Sequence, residues 1–453
     1  MTAITKYSRH SLAILAAILI AVWPLPGTIA LRYTLLTLGG LSSVYIIIKN
    51  RGTIFTAEFR YVWILMSFFI WLIIHLVLLS SRFDQQLYEL KGVWLRAFFS
   101  ATFGIGLGLS LSQIEDRNKS DMANGIIIAG FFGLPLIFFL RYAQEIYITG
   151  NWLHANFFTQ TYLSKTPVVV FGSLLPPLIF VKILQEPDGK KNIWIATGVV
   201  GISLVMFAHY FSNTKNGILY FMIMLAVFAI KLFKSRKHFA NHTASKSSMI
   251  LAVIALALIS YGLISHIKKN TAWSEPWADF KIAVDIENNQ YWKNSSKYGL
   301  PTNEHGLGVS ETLYERVAWM VAGLHLIKEY PLGYGLLEHS FSALAKEKWA
   351  DFNPKHVNGE TRGSTHSGWT DFALGFGVPG LALVLIPFWA SFFRAYYKHG
   401  FWPAYICWAV PLISAIYLTT EVAMDYFFEF LFFITALFSI LTIKKSNHAQ
   451  QKQ

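Results

Sequence analysis

About twelve apolar runs follow one another along this chain, at 11–26, 28–48, 61–80, 97–112, 124–140, 166–184, 193–211, 217–233, 249–264, 369–393, 401–419 and 425–443. A membrane-crossing α-helix needs roughly 20 predominantly apolar residues, so most of these runs are long enough to span a bilayer. The runs 97–112 and 249–264 are the shortest, which leaves eleven crossings as the alternative count. Composition agrees: 54% of the 453 residues are hydrophobic and 14% are charged, against roughly 25% charged residues in a soluble domain. The expected fold is an all-α polytopic membrane protein. Its parts are nine helices over 1–264, a large loop over 265–368, three helices over 369–443 and a tail over 444–453.

The formal net charge of +13 would suggest nucleic acid in a soluble protein, but here it reports topology and anionic lipid. The first run follows Lys6 and Arg9, lacks a small-residue cleavage pattern and is succeeded at once by another run, so it reads as a retained span. With the N-terminus inside, the inner connections hold Lys49, Arg51, Arg60, Arg117, Lys119, Lys190, Lys191, Lys234, Arg236, Lys237, Lys246, Arg394 and Lys398. Lys444 and Lys445 mark the tail as cytoplasmic, and the pattern is positive-inside throughout. The loop 265–368 then lies outside, with short outer loops carrying Arg82, Lys91, Arg96, Arg141, Lys165 and Lys215. The single cysteine, Cys407, lies in an apolar run, so neither a disulfide nor a cysteine metal site can form within the chain.

A loop of about a hundred residues exceeds what a connector needs and points to function. Its first half, from Lys268 to Gly306, is polar, aromatic and without periodicity, and reads as irregular. Residues 312–330 predict a helix with Leu313, Val317, Met320, Val321, Leu324 and Ile327 on one face, stopped by Pro331 and its glycines. Arg316 lies at the edge of that face with no carboxylate three or four positions away, so it fits a snorkelling surface arginine or a ligand for an outside anion. Lys215, in the outer turn "SNTKNG", is either a boundary lysine or a cation for a lipid-linked phosphate.

His366 sits where the loop meets the next span, in "STHSGWTDFALGFGVPG". A histidine there fits a hydrogen-bonded structural residue or, with an ordinary pKa of roughly 6.5, a general base. Gly375, Gly377 and Gly380 allow close backbone packing that aims it, and Pro379 predicts a kink.

His366-Ser367, nine residues, then Gly377-Val378-Pro379-Gly380 resembles the His-[Asn/Ser/Gln]-x9-Gly-x-x-Gly pattern of the bacterial O-antigen ligase, or polymerase-ligase, superfamily. "YERVAWMVAGLHLIKEYPLGYG" (314–335) looks like that family's outer-loop segment, with an arginine and a tryptophan on a helix ending in a Pro-Leu-Gly-x-Gly turn. "HYFSNTKNG" (209–217) is similar to a turn that carries an arginine in the family; lysine at 215 keeps the charge but loses bidentate geometry. "LHANFFTQ" (153–160) resembles a family loop containing an asparagine, here Asn156. The resemblance runs from about 150 to 390.

The resemblance implies a GT-C-like glycosyltransferase at the periplasmic face of the bacterial inner membrane. It would move a glycan from undecaprenyl pyrophosphate to a sugar hydroxyl of lipid A-core, without cofactor or nucleic acid. His366 would be the base, Arg316 and Lys215 the pyrophosphate clamp, and Ser367 and Asn156 further substrate contacts. The leaving group is already good, so the chemistry asks for a base and fixed cations. Direct displacement inverts the anomeric centre, with base and cations on opposite sides of the reacting carbon. No metal is expected, because there is no Asp-x-Asp and no paired metal-ligand histidine spacing, and Asp285-Ile-Glu287 reads as solvated surface.

Within the superfamily the same parts would serve an O-antigen polymerase or a protein O-oligosaccharyltransferase. A lipid-linked glycan transporter is the rival from another class, but there is no internal repeat, and the functional charges cluster outside. Asp425 and Glu429, near the last span, are the exceptions and would line a cavity or pair locally. Trp273, Trp277, Tyr291 and Trp292 of the loop fit sugar stacking or a membrane interface equally.

Overall fold

The computed structural model describes residues 3–114, 116–152, 163–186, 188–239, 264, 275–353, 363–423 and 425–443. These residues are almost entirely helical, with eight helices long and apolar enough to cross a membrane and two shorter apolar helices, His10–Val22 and Tyr426–Leu441. The protein is an all-α, multi-pass membrane protein. Each predicted run falls on a helix except 249–264, which lies outside the described residues, as do Trp273 and Asn156.

The last helix, Asp425–Leu441, forms the centre of the bundle, with Phe427 through Phe433 all fully buried or nearly so. It packs on Leu95–Ser112 through glycines: a Cβ on Gly104 would meet Phe433 O at 2.3 Å, and one on Gly108 would meet Ile440 Cβ at 2.7 Å. Small residues at such positions let helices approach where lipid offers no hydrophobic drive. Glu429, predicted to line a cavity or pair locally, pairs with Arg96 at 2.5 Å. Phe68, Trp94, Phe372 and Phe428 interlock around this centre, joining the helices Arg60–Leu78 and Gly368–Tyr396 to it.

The long loop has its own small core, built from Trp292, Tyr314, Ala318, Trp319, Phe341 and Phe352 among others. Its first half is not wholly irregular, because Pro276–Val284 is a helix opened by a proline at its first position. That helix buries only Ala278, Asp279 and Ala283, small or polar residues that leave no apolar periodicity to read. A further helix, Ser340–Lys348, follows the glycine turn. Tyr298 and Lys297 hydrogen-bond Asp351, with Lys293 3.3 Å away, and this grip holds the Asp351 carboxyl down to about 2. The two ends of the loop core are thereby tied together.

The predicted helix at 312–330 is present as Glu311–Glu329, but its buried face differs from the expected one. Tyr314, Ala318, Trp319, Ala322, Gly323 and Leu326 face inward, while Leu324 is 47% exposed. The helix lies against Gly368–Tyr396, and a Cβ on Gly323 would come 2.6 Å from Thr370 Cγ2 and 2.9 Å from Thr365 Cγ2. Close approach selects small residues, which a hydrophobicity pattern undervalues.

Candidate active site

The helix Gly368–Tyr396 positions the site. Ser367 caps it, its Oγ accepting from Thr370 N and from Thr370 Oγ1 at 3.0 Å. Asp371, in the first turn, accepts from Thr365 N at 2.7 Å and Thr365 Oγ1 at 2.8 Å. Between these anchors His366 takes φ 58°, a left-handed conformation that costs a non-glycine residue roughly 1–2 kcal/mol. Such an outlier is held only where its surroundings over-determine it, and here it directs the imidazole away from the helix that follows.

The imidazole meets a carboxylate that the sequence reading passed over. His366 Nδ1 lies 3.0 Å from Glu421 Oε2, while Ser364 Oγ donates to Glu421 Oε1 at 2.6 Å. Glu421 stands in the turn between the helices Phe401–Thr419 and Asp425–Leu441, and Gly368 N donates to Thr420 O at 3.3 Å. The two segments are pressed together, since a Cβ on Gly368 would fall 2.0 Å from Val422 Cγ2. The available signal was an acidic residue in an outward turn between two apolar runs, but attention there went to Asp425 and Glu429.

The other face of the ring rests on the loop. Trp319 stacks on His366 with centroids 5.6 Å apart and planes at 22°, and its Nε1 donates to Trp292 O. Arg316 is one turn back from Trp319 on the same helix. Trp292, one of the four aromatic residues read as fitting sugar stacking or a membrane interface, is instead buried in the loop core. Trp277 is 67% exposed.

Lys215 reaches the same region from another side. Its turn is held by His209 Nδ1 against Thr214 Oγ1 at 2.8 Å, and Gly217 leaves the room for that ring. The neighbouring Asn216 donates to Thr419 O at 3.0 Å, two residues before Glu421, and Tyr220 bonds Thr419 as well. Lys215, Arg316 and Lys165 stand near enough for their charges to repel one another. Lys165 had been read only as an outer-turn lysine. Three cations in mutual repulsion favour an anion among them on electrostatic grounds.

The motif glycines serve the backbone. The helix Gly368–Tyr396 breaks at Gly377, with φ 71° and ψ 179°, two residues before the proline expected to kink it. Across the break the turn Pro331–Gly335 is zipped on: Tyr334 N donates to Leu374 O, Gly335 N to Gly375 O and Val378 N to Pro331 O. A Cβ on Gly377 would lie 2.4 Å from Leu332 C, and one on Gly375 2.4 Å from Leu336 O. Gly380 stands where Trp71 Nε1 reaches in to donate to Phe376 O at 2.8 Å. The two sequence patterns, one in the loop and one in the span, are therefore two sides of a single backbone joint. Among the described residues no group of three His, Cys, Asp or Glu side chains is placed to hold a metal ion.

Fold and site together define a multi-pass membrane protein with a histidine–carboxylate pair beside a cluster of cations. Residues 199–385 match the family model described as O-antigen ligase, which supports the O-antigen ligase superfamily. The matched stretch includes Lys215, Arg316, His366, Gly377 and Gly380 and ends before Glu421. It supports glycosyltransferase activity of the O-antigen ligase or polymerase type in general, using a lipid-linked glycan donor and a lipid acceptor. No curated protein matches the chain.

Proposed function

We propose that this protein transfers a glycan from undecaprenyl pyrophosphate to a sugar hydroxyl of lipid A-core at the periplasmic face of the inner membrane, with inversion and without a metal. The observation that carries the reading is the His366–Glu421 pair, 3.0 Å apart, beside the Lys165, Lys215 and Arg316 cations. A base and an anion clamp are the two parts this chemistry asks of a protein.

With the Glu421 carboxylate 3.0 Å from Nδ1, the tautomer that carries its proton on Nδ1 is favoured, which leaves Nε2 as the basic nitrogen. Nε2 takes the acceptor hydroxyl proton as the oxygen bonds to the anomeric carbon, and the bond from that carbon to pyrophosphate breaks. The charge gathering on the departing phosphate is met by Arg316 and Lys215, with Lys165 beside them. General-base help of this kind contributes about 10²- to 10⁴-fold. Stacking on Trp319 and the pull of Glu421 hold the ring in one orientation, so little reorganisation is needed during transfer. Ser367 serves this scheme through its helix cap, which positions His366.

The direct test is product formation. Purified protein with lipid-linked glycan and lipid A-core should yield glycosylated core lipid, whereas elongation of the donor glycan alone would indicate a polymerase. Movement of donor across the bilayer without linkage would indicate a transporter.

A further inference from the structure

A cavity of about 790 Å³ opens between the helices Ile29–Lys49 and Phe83–Ser112 and the loop residues that follow the glycine turn. Its walls include Tyr33, Asp84, Tyr88, Glu89, Glu338 and His339. Three carboxylates face it, and the arginine in its wall, Arg96, is engaged by Glu429 and lies over the Tyr33 ring. Glu89 shapes the rim by accepting from Leu337 N at 2.8 Å and Glu338 N at 3.3 Å. Tyr88 is 81% exposed, an aromatic face presented to solvent beside the carboxylates.

Two relationships place this cavity with respect to His366. A Cβ on Gly363 would come 2.8 Å from His339 Nδ1, so the cavity wall abuts the chain three residues before His366. The cation cluster lies elsewhere: Lys165 opens the segment packed among the helices Arg117–Thr149, Asp188–Phe211 and Phe401–Thr419, none of which contributes to the cavity. A carboxylate-lined cavity repels pyrophosphate but accepts hydrogen bonds from hydroxyls, and tyrosine rings offer the apolar faces on which sugar rings lie.

We propose that the cavity walled by Tyr33, Asp84, Tyr88, Glu89, Glu338 and His339 binds a polyhydroxylated, non-anionic sugar, the glycan of the acceptor, in a place distinct from the segment that carries Lys165. This rests on the transfer reaction proposed above and gives it a direction: donor on the cationic side, acceptor on the acidic side. The same sugar chemistry is present in the glycan of the donor, and kinetics separate the two sources.

Asp84→Asn and Tyr88→Ala alter exposed wall residues outside the reacting pair and the cations. In the full-length protein each should raise the acceptor KM by about tenfold, the worth of one hydrogen bond to a charged group or one stacked ring, with donor KM and kcat little changed. An unchanged acceptor KM, or a rise in donor KM instead, overturns the proposal while leaving the transfer reaction standing. A second readout is independent of turnover: binding of a neutral hexose oligosaccharide, free of phosphate and carboxylate, to the detergent-solubilised protein by saturation-transfer NMR. Binding to the wild type that the double variant loses supports the cavity even if no transfer is observed. Equal binding to both, or none to the wild type, overturns it.

Discussion

His366 Nδ1 and Glu421 Oε2 lie 3.0 Å apart, across 55 residues of sequence and between two different turns of the bundle. In the proposed reaction Glu421 is the group that sets which imidazole nitrogen is basic. Replacing it by glutamine keeps size and removes charge, so Glu421→Gln should lower kcat by about 10²-fold or more. The double variant with His366→Ala should be no slower than His366→Ala alone, since groups acting as a unit are not additive. Steady-state kinetics on the four proteins checks this, and a further additive loss in the double variant would place Glu421 in some other role.

The cations should separate by geometry. Arg316→Ala is expected to abolish transfer, and Lys215→Ala to weaken it with a raised donor KM. Lys215→Arg should keep activity, because the charge is retained and bidentate contact with phosphate becomes available. An inactive but folded Lys215→Arg would show that position 215 is not a phosphate clamp.

The backbone joint predicts a contrast between glycines. Gly377→Ala forces a side chain into left-handed backbone and against Leu332, so it should destabilise the protein by roughly 1–2 kcal/mol from the backbone conformation alone. Gly323→Ala should push the loop helix from Thr365 and Thr370 and lower activity more than thermal stability. A Cβ on Gly308 meets nothing within 4 Å, so Gly308→Ala serves as the neutral control. Thermal unfolding in detergent and transfer rates, measured on all three, give the comparison.

Much of this was legible in the chain, for reasons visible in particular residues. Apolar runs report spans directly because lipid demands them, so the predicted runs coincide with helices such as Arg60–Leu78 and Phe401–Thr419. The loop helix was found but its face only in part: Val317 is buried and Leu313, Val321 and Ile327 pack on the loop core, while Leu324 is exposed and Ala318, Ala322 and Gly323 are inside for their smallness. His366, Arg316 and Lys215 stood out as ionisable residues at an outer boundary, His366 and Lys215 beside turns and Arg316 on the loop helix. Glu421 and Lys165 were missed for a shared reason: each matters through a partner far away in sequence, His366 for one and the other cations for the other. Asn156 lies outside the described residues.

Metal independence is a claim about rate. With the cations supplying the positive charge, transfer should proceed undiminished after exhaustive EDTA treatment, and addition of Mg²⁺ or Mn²⁺ should not accelerate it. A loss on chelation that divalent ions restore would require a metal in place of, or beside, the clamp.

The most direct measurement is transfer by purified His366→Ala beside the wild type, with a lipid-linked glycan donor and lipid A-core acceptor, both proteins shown to be folded by thermal unfolding. The expected result is glycosylated core lipid from the wild type and none above background from the variant. Wild-type activity in His366→Ala would contradict the assignment of the base and with it the account of this site.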